Sequence, residues 1–172
     1  MTQTGASVEG RRVQSSTKPD TLRKTITVAA PREVAFRVFT QGMTTWWPLA
    51  THKIGKAPAV QAVLEPRVGG RWYEKGDDGS ECDWGRVLAW DPPAGLSLDW
   101  QIDRQWQYDP SFHTEVVVRF VPEDAGRTRV ELEHRNLDRF GVYRDQIVAA
   151  FDSPGGWQNL LEAFAAKATA AD

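Results

Sequence analysis

The chain has 172 residues, 41% hydrophobic and 26% charged, with 21 Lys and Arg against 23 Asp and Glu for a net charge of −2. That is the profile of one globular domain large enough to bury a core, and its slight acidity, with a pI of about 5.9, removes any electrostatic case for a nucleic-acid partner. No apolar run reaches the roughly 20 residues that cross a bilayer, the first 20 residues lack the apolar stretch of a secretory signal, and a lone Cys82 excludes an intrachain disulfide framework and a cysteine-based zinc site. The expectation is a cytoplasmic protein with no membrane partner.

Residues 1–19 are rich in Ser, Thr, Gln, Gly and Arg, with Val8 and Val13 as the bulky aliphatics. Such a composition predicts a flexible tail, leaving 20–172 as a single domain. Leu22 to Val28 alternates apolar and polar residues and predicts the first strand. Pro31 suits the first turn of a helix whose stripe is Val34, Ala35, Val38 and Phe39, and Gly42 closes it. Met43 to Pro48 adds one short turn before Pro48 stops it.

The middle of the chain reads as antiparallel strands: Val60 to Glu65, Arg71 to Lys75, and Glu81 to Trp90 after the hairpin turn Gly76-Asp77-Asp78-Gly79. Leu96, Leu98, Trp100 and Ile102 alternate cleanly with polar neighbours. A loop from Arg104 to Ser111 separates these from two long strands, Phe112–Val121 and Arg127–His134. One face of the last carries Thr128, Val130, Leu132 and His134, and the other Arg127, Arg129, Glu131 and Glu133, so the sheet has one buried and one wet face. Tyr143 to Phe151 looks helical after a short connector. Ser153 is placed to cap a final helix with Pro154 in its first position, and Trp157, Leu160, Leu161, Phe164 and Ala168 form its apolar stripe. A helix over 154–170 would be about 25 Å long. Helices segregated to one face of an antiparallel sheet make an α+β domain.

The segments Ile26-Thr27-Val28-Ala29-Ala30-Pro31, Trp46-Trp47-Pro48, Val68-Gly69-Gly70-Arg71-Trp72, Gly85-Arg86-Val87 with Asp91-Pro92-Pro93, Leu132 to Leu137, and Ser153-Pro154-Gly155-Gly156-Trp157 together resemble the SRPBCC superfamily. Within it the chain is most similar to the activator of heat-shock-protein-90 ATPase-like family, over residues 22–170. The resemblance implies a START-like helix-grip fold: a curved antiparallel sheet of about seven strands wrapped around a long C-terminal helix, with one or two short helices after the first strand and a cavity between sheet and helix. It carries no catalytic motif, and the superfamily includes lipid and hormone binders, cyclases and co-chaperones.

Eight tryptophans outnumber the seven phenylalanines and three tyrosines. They fill a bulky core or line a pocket for a small hydrophobic or aromatic molecule. On the pocket reading the lining residues are Trp46, Trp47, Trp72, Trp100, His134, Phe151 and Trp157. His134 is either a polar anchor or acid–base group facing that pocket, or a structural histidine held by hydrogen bonds. His52 and His113 share no metal-ligand spacing with it, and neither a metal site nor a cofactor motif is expected. Cys82 between Glu81 and Asp83 reads as an unreactive thiol. Glu81, Asp83, Asp99, Asp103 and Glu115 offer a catalytic pair if two converge in the cavity, although Asp99 and Asp103 are expected to face solvent. For the strands at 71–75 and 81–90 two registers remain open: Trp72 and Trp84 inward with Glu74 and Arg86, or Arg71 and Tyr73 inward.

No catalytic residue is assigned, because no nucleophile–base pair can be read from the spacing. The leading expectation is ligand binding between sheet and C-terminal helix by a monomer or homodimer. The alternatives are a stress-response co-chaperone acting on a chaperone ATPase through the charged face of Arg127, Arg129, Glu131 and Glu133, and a cyclase or hydrolase using His134.

Overall fold

A computed structural model describes residues 13–18 (backbone only for 15–18) and 20–171. Strands β1 (Gln14–Lys18), β2 (Thr21–Val28), β3 (Ala59–Leu64), β4 (Arg71–Gly76), β5 (Glu81–Asp91), β6 (Gly95–Trp100), β7 (Thr114–Asp124) and β8 (Arg127–Arg135) form one antiparallel sheet in the order β1-β2-β8-β7-β6-β5-β4-β3. Helix α1 (Arg32–Thr40) follows β2, with a 3₁₀ turn at Met43–Thr45, while α2 (Arg144–Asp152) and α3 (Trp157–Ala170) follow β8 through a 3₁₀ segment at Leu137–Tyr143. The sheet curls around the C-terminal helical segment in the α+β helix-grip arrangement expected from the sequence.

The apolar alternation of the sequence is carried into the sheet unchanged in β6 to β8. Leu96, Leu98 and Trp100 on β6, Thr114, Val116, Val118 and Phe120 on β7, and Thr128, Val130, Leu132 and His134 on β8 all point inward and are buried. They meet the stripe Trp157, Leu160, Leu161, Phe164, Ala165 and Ala168 of α3. Lys24 sits on the inward face of β2 between Leu22 and Ile26, fully buried, with its Nζ donating to Asp152 at the end of α2 over 2.6 Å. A buried ammonium needs such a partner, and the pair ties β2 to α2.

Two boundaries and one burial differ from the sequence expectation. The flexible tail predicted over 1–19 gives way at Gln14 to an edge strand that pairs with β2 from Gln14↔Thr25 to Lys18↔Thr21, while 1–12 and 19 lie outside the described residues. Edge pairing draws on main-chain groups, so a polar stretch with no apolar face can supply it. The final helix begins at Trp157, not at 154. Ser153 does not cap it but donates to the carbonyl of Ala150, closing α2, and Gly156 precedes the first helical residue. A Cβ at Gly156 would collide with the carbonyls of Phe151 and Ala150, so this tight α2–α3 corner requires glycine. Asp99, expected in solvent, is buried under the 103–113 loop, where His113 Nδ1 lies 2.8 Å from its Oδ2.

The register left open for β4 and β5 is settled by a bulge. Tyr73 pairs with Asp83 but Trp72 pairs with Gly85, so Trp84 is an extra residue. Such an insertion shifts the two-residue period by one. Trp72, Glu74, Trp84 and Val87 therefore all face in, while Arg86 faces out opposite Arg71. Neither expected set holds whole, since Glu74 is inside without Arg86. Gly85 makes the bulge sterically feasible, because a Cβ there would overlap the Asp99 carbonyl. Replacing Gly85 with Ala is expected to lower stability by about 3 kcal/mol, the upper end for atoms forced into a packed interior, read as the midpoint shift in urea unfolding.

Candidate functional site

Between the sheet, α2 and the start of α3 lies a cavity of about 440 Å³. Its walls hold five of the eight tryptophans, namely Trp47, Trp84, Trp100, Trp106 and Trp157, together with Phe151, Ile54, Ile102 and Leu160. The aromatic rings form a continuous array: Trp47 to Trp84 at 4.9 Å, Trp100 to Phe151 at 5.4 Å, Trp100 to Trp157 at 5.9 Å, and Trp106 to Phe151 at 6.0 Å between centroids. Polar side chains in the lining come from Thr51, His52, Lys53 and Ser153, and Ala150, Gly155 and Gly156 complete it.

Of the residues expected at a ligand site, Trp47, Trp100, Phe151 and Trp157 line this cavity, and Trp46, Trp72 and His134 do not. Trp46 turns the other way, packs on Phe39 and Phe164, and donates its indole N–H to the carbonyl of Val38 over 2.8 Å. Trp72 stands one layer behind, edge-on to Trp84 and Trp100, with its N–H directed at the Met43 sulfur at 3.3 Å. Trp84 and Trp106 line the cavity without having been expected there. For Trp84 the bulge decided the face; Trp106 sits in the loop after β6 at φ +59°, where no periodicity exists to follow. A turn built on Asp103, whose Oδ1 accepts from the N–H of Gln105 and Gln107, was the available signal for its placement.

The rim around Thr51–Ile54 is positioned by Glu74. Its carboxylate is 2% exposed, and its oxygens accept the backbone N–H of Ile54 (2.7 Å), the N–H of Gly55 (3.0 Å) and the indole N–H of Trp84 (2.8 Å). Across the opening, His52 Nε2 meets the Gly155 carbonyl at 2.8 Å, while Trp47 donates to the His52 carbonyl over 2.8 Å. Nε2 must carry the proton to donate to a carbonyl, so Nδ1 accepts from the Thr51 hydroxyl at 2.8 Å.

His134 is sealed beneath the aromatic wall, stacked on Phe151 at 4.6 Å. Trp157 donates to its Nδ1 over 3.2 Å, which leaves the proton on Nε2 facing Thr114 Oγ1 at 2.9 Å, and that hydroxyl in turn donates to the Trp100 carbonyl over 3.3 Å. Burial pulls its pKa from 6.5 down to about 3. The ring stands as a neutral strut against Trp157, with both nitrogens committed to hydrogen bonds inside the protein. The acidic candidates do not converge either: Glu81 and Asp83 pair with Arg71, Asp99 with His113, and none of Glu81, Asp83, Asp99, Asp103 or Glu115 lines the cavity. Burial pushes the Cys82 thiol up, Glu74 and Asp83 adding to the effect. Among the described residues no cluster of three or more metal-ligating side chains occurs.

The family model described as activator of Hsp90 ATPase homolog 1-like protein matches residues 29–168. Among solved structures the chain is similar to an anthrahydroquino-gamma-pyrone synthase, at 42% identity over 87% of this chain and 97% of that one, with a TM-score of 0.61. It is similar also to the self-sacrificing resistance protein CalC from Micromonospora echinospora, at 34% identity over 87% and 94% of the two chains and a TM-score of 0.65. A Rhodobacter sphaeroides protein with 21% identity, covering 93% and 100%, matches in fold at a TM-score of 0.65. No curated protein matches the sequence.

The buried neutral histidine has a pH signature. The unfolded chain takes up a proton at His134 below about pH 6.5 while the folded chain resists until about pH 3, so stability is full above that window and falls as pH drops through it. From pH 7 to pH 5 this group alone removes about 2 kcal/mol. In His134→Gln the amide oxygen accepts from Trp157 and the amide nitrogen donates to Thr114, and the loss between these pH values is expected to shrink by that amount in urea unfolding.

Proposed function

The chain belongs to the activator of Hsp90 ATPase homolog 1-like family, and from that starting point we propose that it binds a planar aromatic small molecule in the cavity between sheet and C-terminal helix. The observation that carries this reading is the lining: five tryptophans and Phe151 around about 440 Å³, a volume within the usual range for small-molecule sites. Rings with apolar faces and few polar groups between them favour a flat, conjugated ligand that stacks against one wall and meets others edge-on.

The neighbours point the same way. The protein of 42% identity is a synthase of an anthrahydroquino-gamma-pyrone, and the one of 34% identity is a resistance protein. One makes a compound whose name denotes a fused aromatic skeleton, which is the ligand class this cavity suits. Catalysis by His134 finds no support, since its two nitrogens are committed and its ring lies outside the cavity. A chaperone-directed surface finds little: Arg129 is paired with Glu123 and Glu131, and Glu133, itself buried, with Arg23 and Arg135, so these charges are satisfied within the chain. Among the described residues no helix is long and apolar enough to cross a membrane.

Titration with 1,8-dihydroxyanthraquinone is expected to quench tryptophan fluorescence saturably and to raise the thermal midpoint through linkage. Ala150 is an exposed residue of α2 that also lines the cavity, so Ala150→Trp fills the space without touching the core. It is expected to retain the wild-type circular dichroism and to weaken binding at least tenfold. Undiminished binding by that variant would place the ligand elsewhere.

A further inference from the structure

A census of donors and acceptors around the cavity says what kind of aromatic molecule it takes. Four of the five lining indoles have spent their N–H inside the protein: Trp47 on the His52 carbonyl, Trp84 on Glu74, Trp100 on the Ile102 carbonyl and Trp157 on His134. Both ring nitrogens of His52 are engaged by Thr51 and Gly155, and the Ser153 hydroxyl donates to Ala150. Among the lining side chains this leaves two sources of unspent donors. Lys53 uses one N–H on the Gly55 carbonyl, at 2.6 Å, and an ammonium has three. The Trp106 indole is the other, at the half-exposed edge of the cavity.

The charge balance is equally one-sided. The lining includes a lysine and no aspartate or glutamate. Carboxylates on the surrounding elements are occupied: Glu74 behind the wall by three N–H donors, Asp152 by Lys24, and Asp103 by the backbone of its own loop. The backbone beside Lys53 is anchored, because the next two N–H groups are held by Glu74, and the ammonium is tied back to that segment through the Gly55 carbonyl. A fixed, partly buried cation beside aromatic walls attracts an anion more strongly than the same cation in open water.

Building on the proposed ligand site, we infer that the preferred ligand is an aromatic anion, whose ionised oxygen pairs with Lys53 while its ring system stacks among the tryptophans. The occupant is a fused aromatic carrying a carboxylate or an ionised phenol, not a neutral hydrocarbon and not an amine. Lys53 acts as the charge-selecting residue of the site, and the tryptophans provide affinity without regard to charge.

The test compares anthraquinone-2-carboxylate with anthraquinone-2-carboxamide, and alizarin above its first ionisation with 1,2-dimethoxyanthraquinone, by fluorescence titration on the full-length protein. The wild type is expected to bind the anion of at least one pair tenfold or more tightly than its neutral counterpart, and the pair that discriminates tells carboxylate from phenolate. Lys53→Gln is expected to bring the two members of that pair within about twofold, chiefly by weakening the anion, and Lys53→Arg to restore the preference. Saturable binding of all four compounds with no preference in either pair would overturn the charge selection and leave the cavity as an aromatic site. Absence of saturable binding by any of them would overturn the ligand site itself, and the charge selection with it.

Discussion

The arrangement of the site depends on one buried carboxylate. Glu74 lies on the inward face of β4, where a charge is stable only if its solvation is replaced by hydrogen bonds. Three N–H donors supply them from two separate pieces of the chain: the adjacent backbone groups of Ile54 and Gly55, and the Trp84 ring on β5. The 52–55 segment has no regular secondary structure, and on its own a loop of that kind is a poor place for a binding residue. Held by Glu74 from below and by the His52–Gly155 bond across the opening, it becomes a fixed rim. The bulge at Trp84 is part of the same device, since it turns that ring inward to where its N–H reaches Glu74.

A second set of polar contacts holds the opposite wall. The line Trp157, His134, Thr114 and the Trp100 carbonyl is a closed chain in which every donor finds one acceptor. It runs from α3 to β8, β7 and β6, so the helix is registered on three strands by hydrogen bonds as well as by apolar packing. Neutral histidine is suited to this because it donates and accepts on one rigid ring. A protonated ring would leave the Trp157 N–H facing a donor. Burial suppresses that state, and the hydrogen bond that seats the gripping helix is thereby kept in place down to acid pH.

How much of this could be read beforehand depends on whether periodicity governed the residue in question. In β6, β7 and β8 the alternation is unbroken, and Leu96 to Trp100, Thr114 to Phe120 and Thr128 to His134 lie on the faces their spacing indicates. The stripe of α3 is right for the same reason, although its first turn is not: Ser153 and Pro154 form a good start signal, yet the α2 carbonyl of Ala150 competes for the serine hydroxyl and wins. Where a bulge resets the period, local pattern fails, so Trp84 and Glu74 together with an outward Arg86 were beyond it. Lys24 was hidden differently. The period of β2 puts it on the face of Leu22 and Ile26 while its residue type argues for solvent, and the partner that resolves the conflict, Asp152, is 128 positions away. The aromatic surplus pointed to a bulky core or a cavity but not to the members of either: Trp46 and Trp47 are adjacent and their rings lie 5.6 Å apart, yet Trp47 lines the cavity and Trp46 does not.

So many large rings might be expected to collapse and fill the space they surround. They are prevented from doing so by their N–H groups. Each of Trp47, Trp84, Trp100 and Trp157 is tethered at its indole nitrogen to an acceptor on the protein, and moving a ring into the cavity would leave a buried donor unpaired at a cost of about 1–3 kcal/mol. Tethering also orders the rings before any ligand arrives, so binding need not immobilise them again, and that entropy has already been lost in folding. The same bonds use up the indoles as hydrogen-bond donors. What remains unspent is flat apolar surface, the Trp106 indole and the Lys53 ammonium at the rim, and on the proposed reading recognition divides into shape, offered by the tryptophans, and charge, offered by a single lysine.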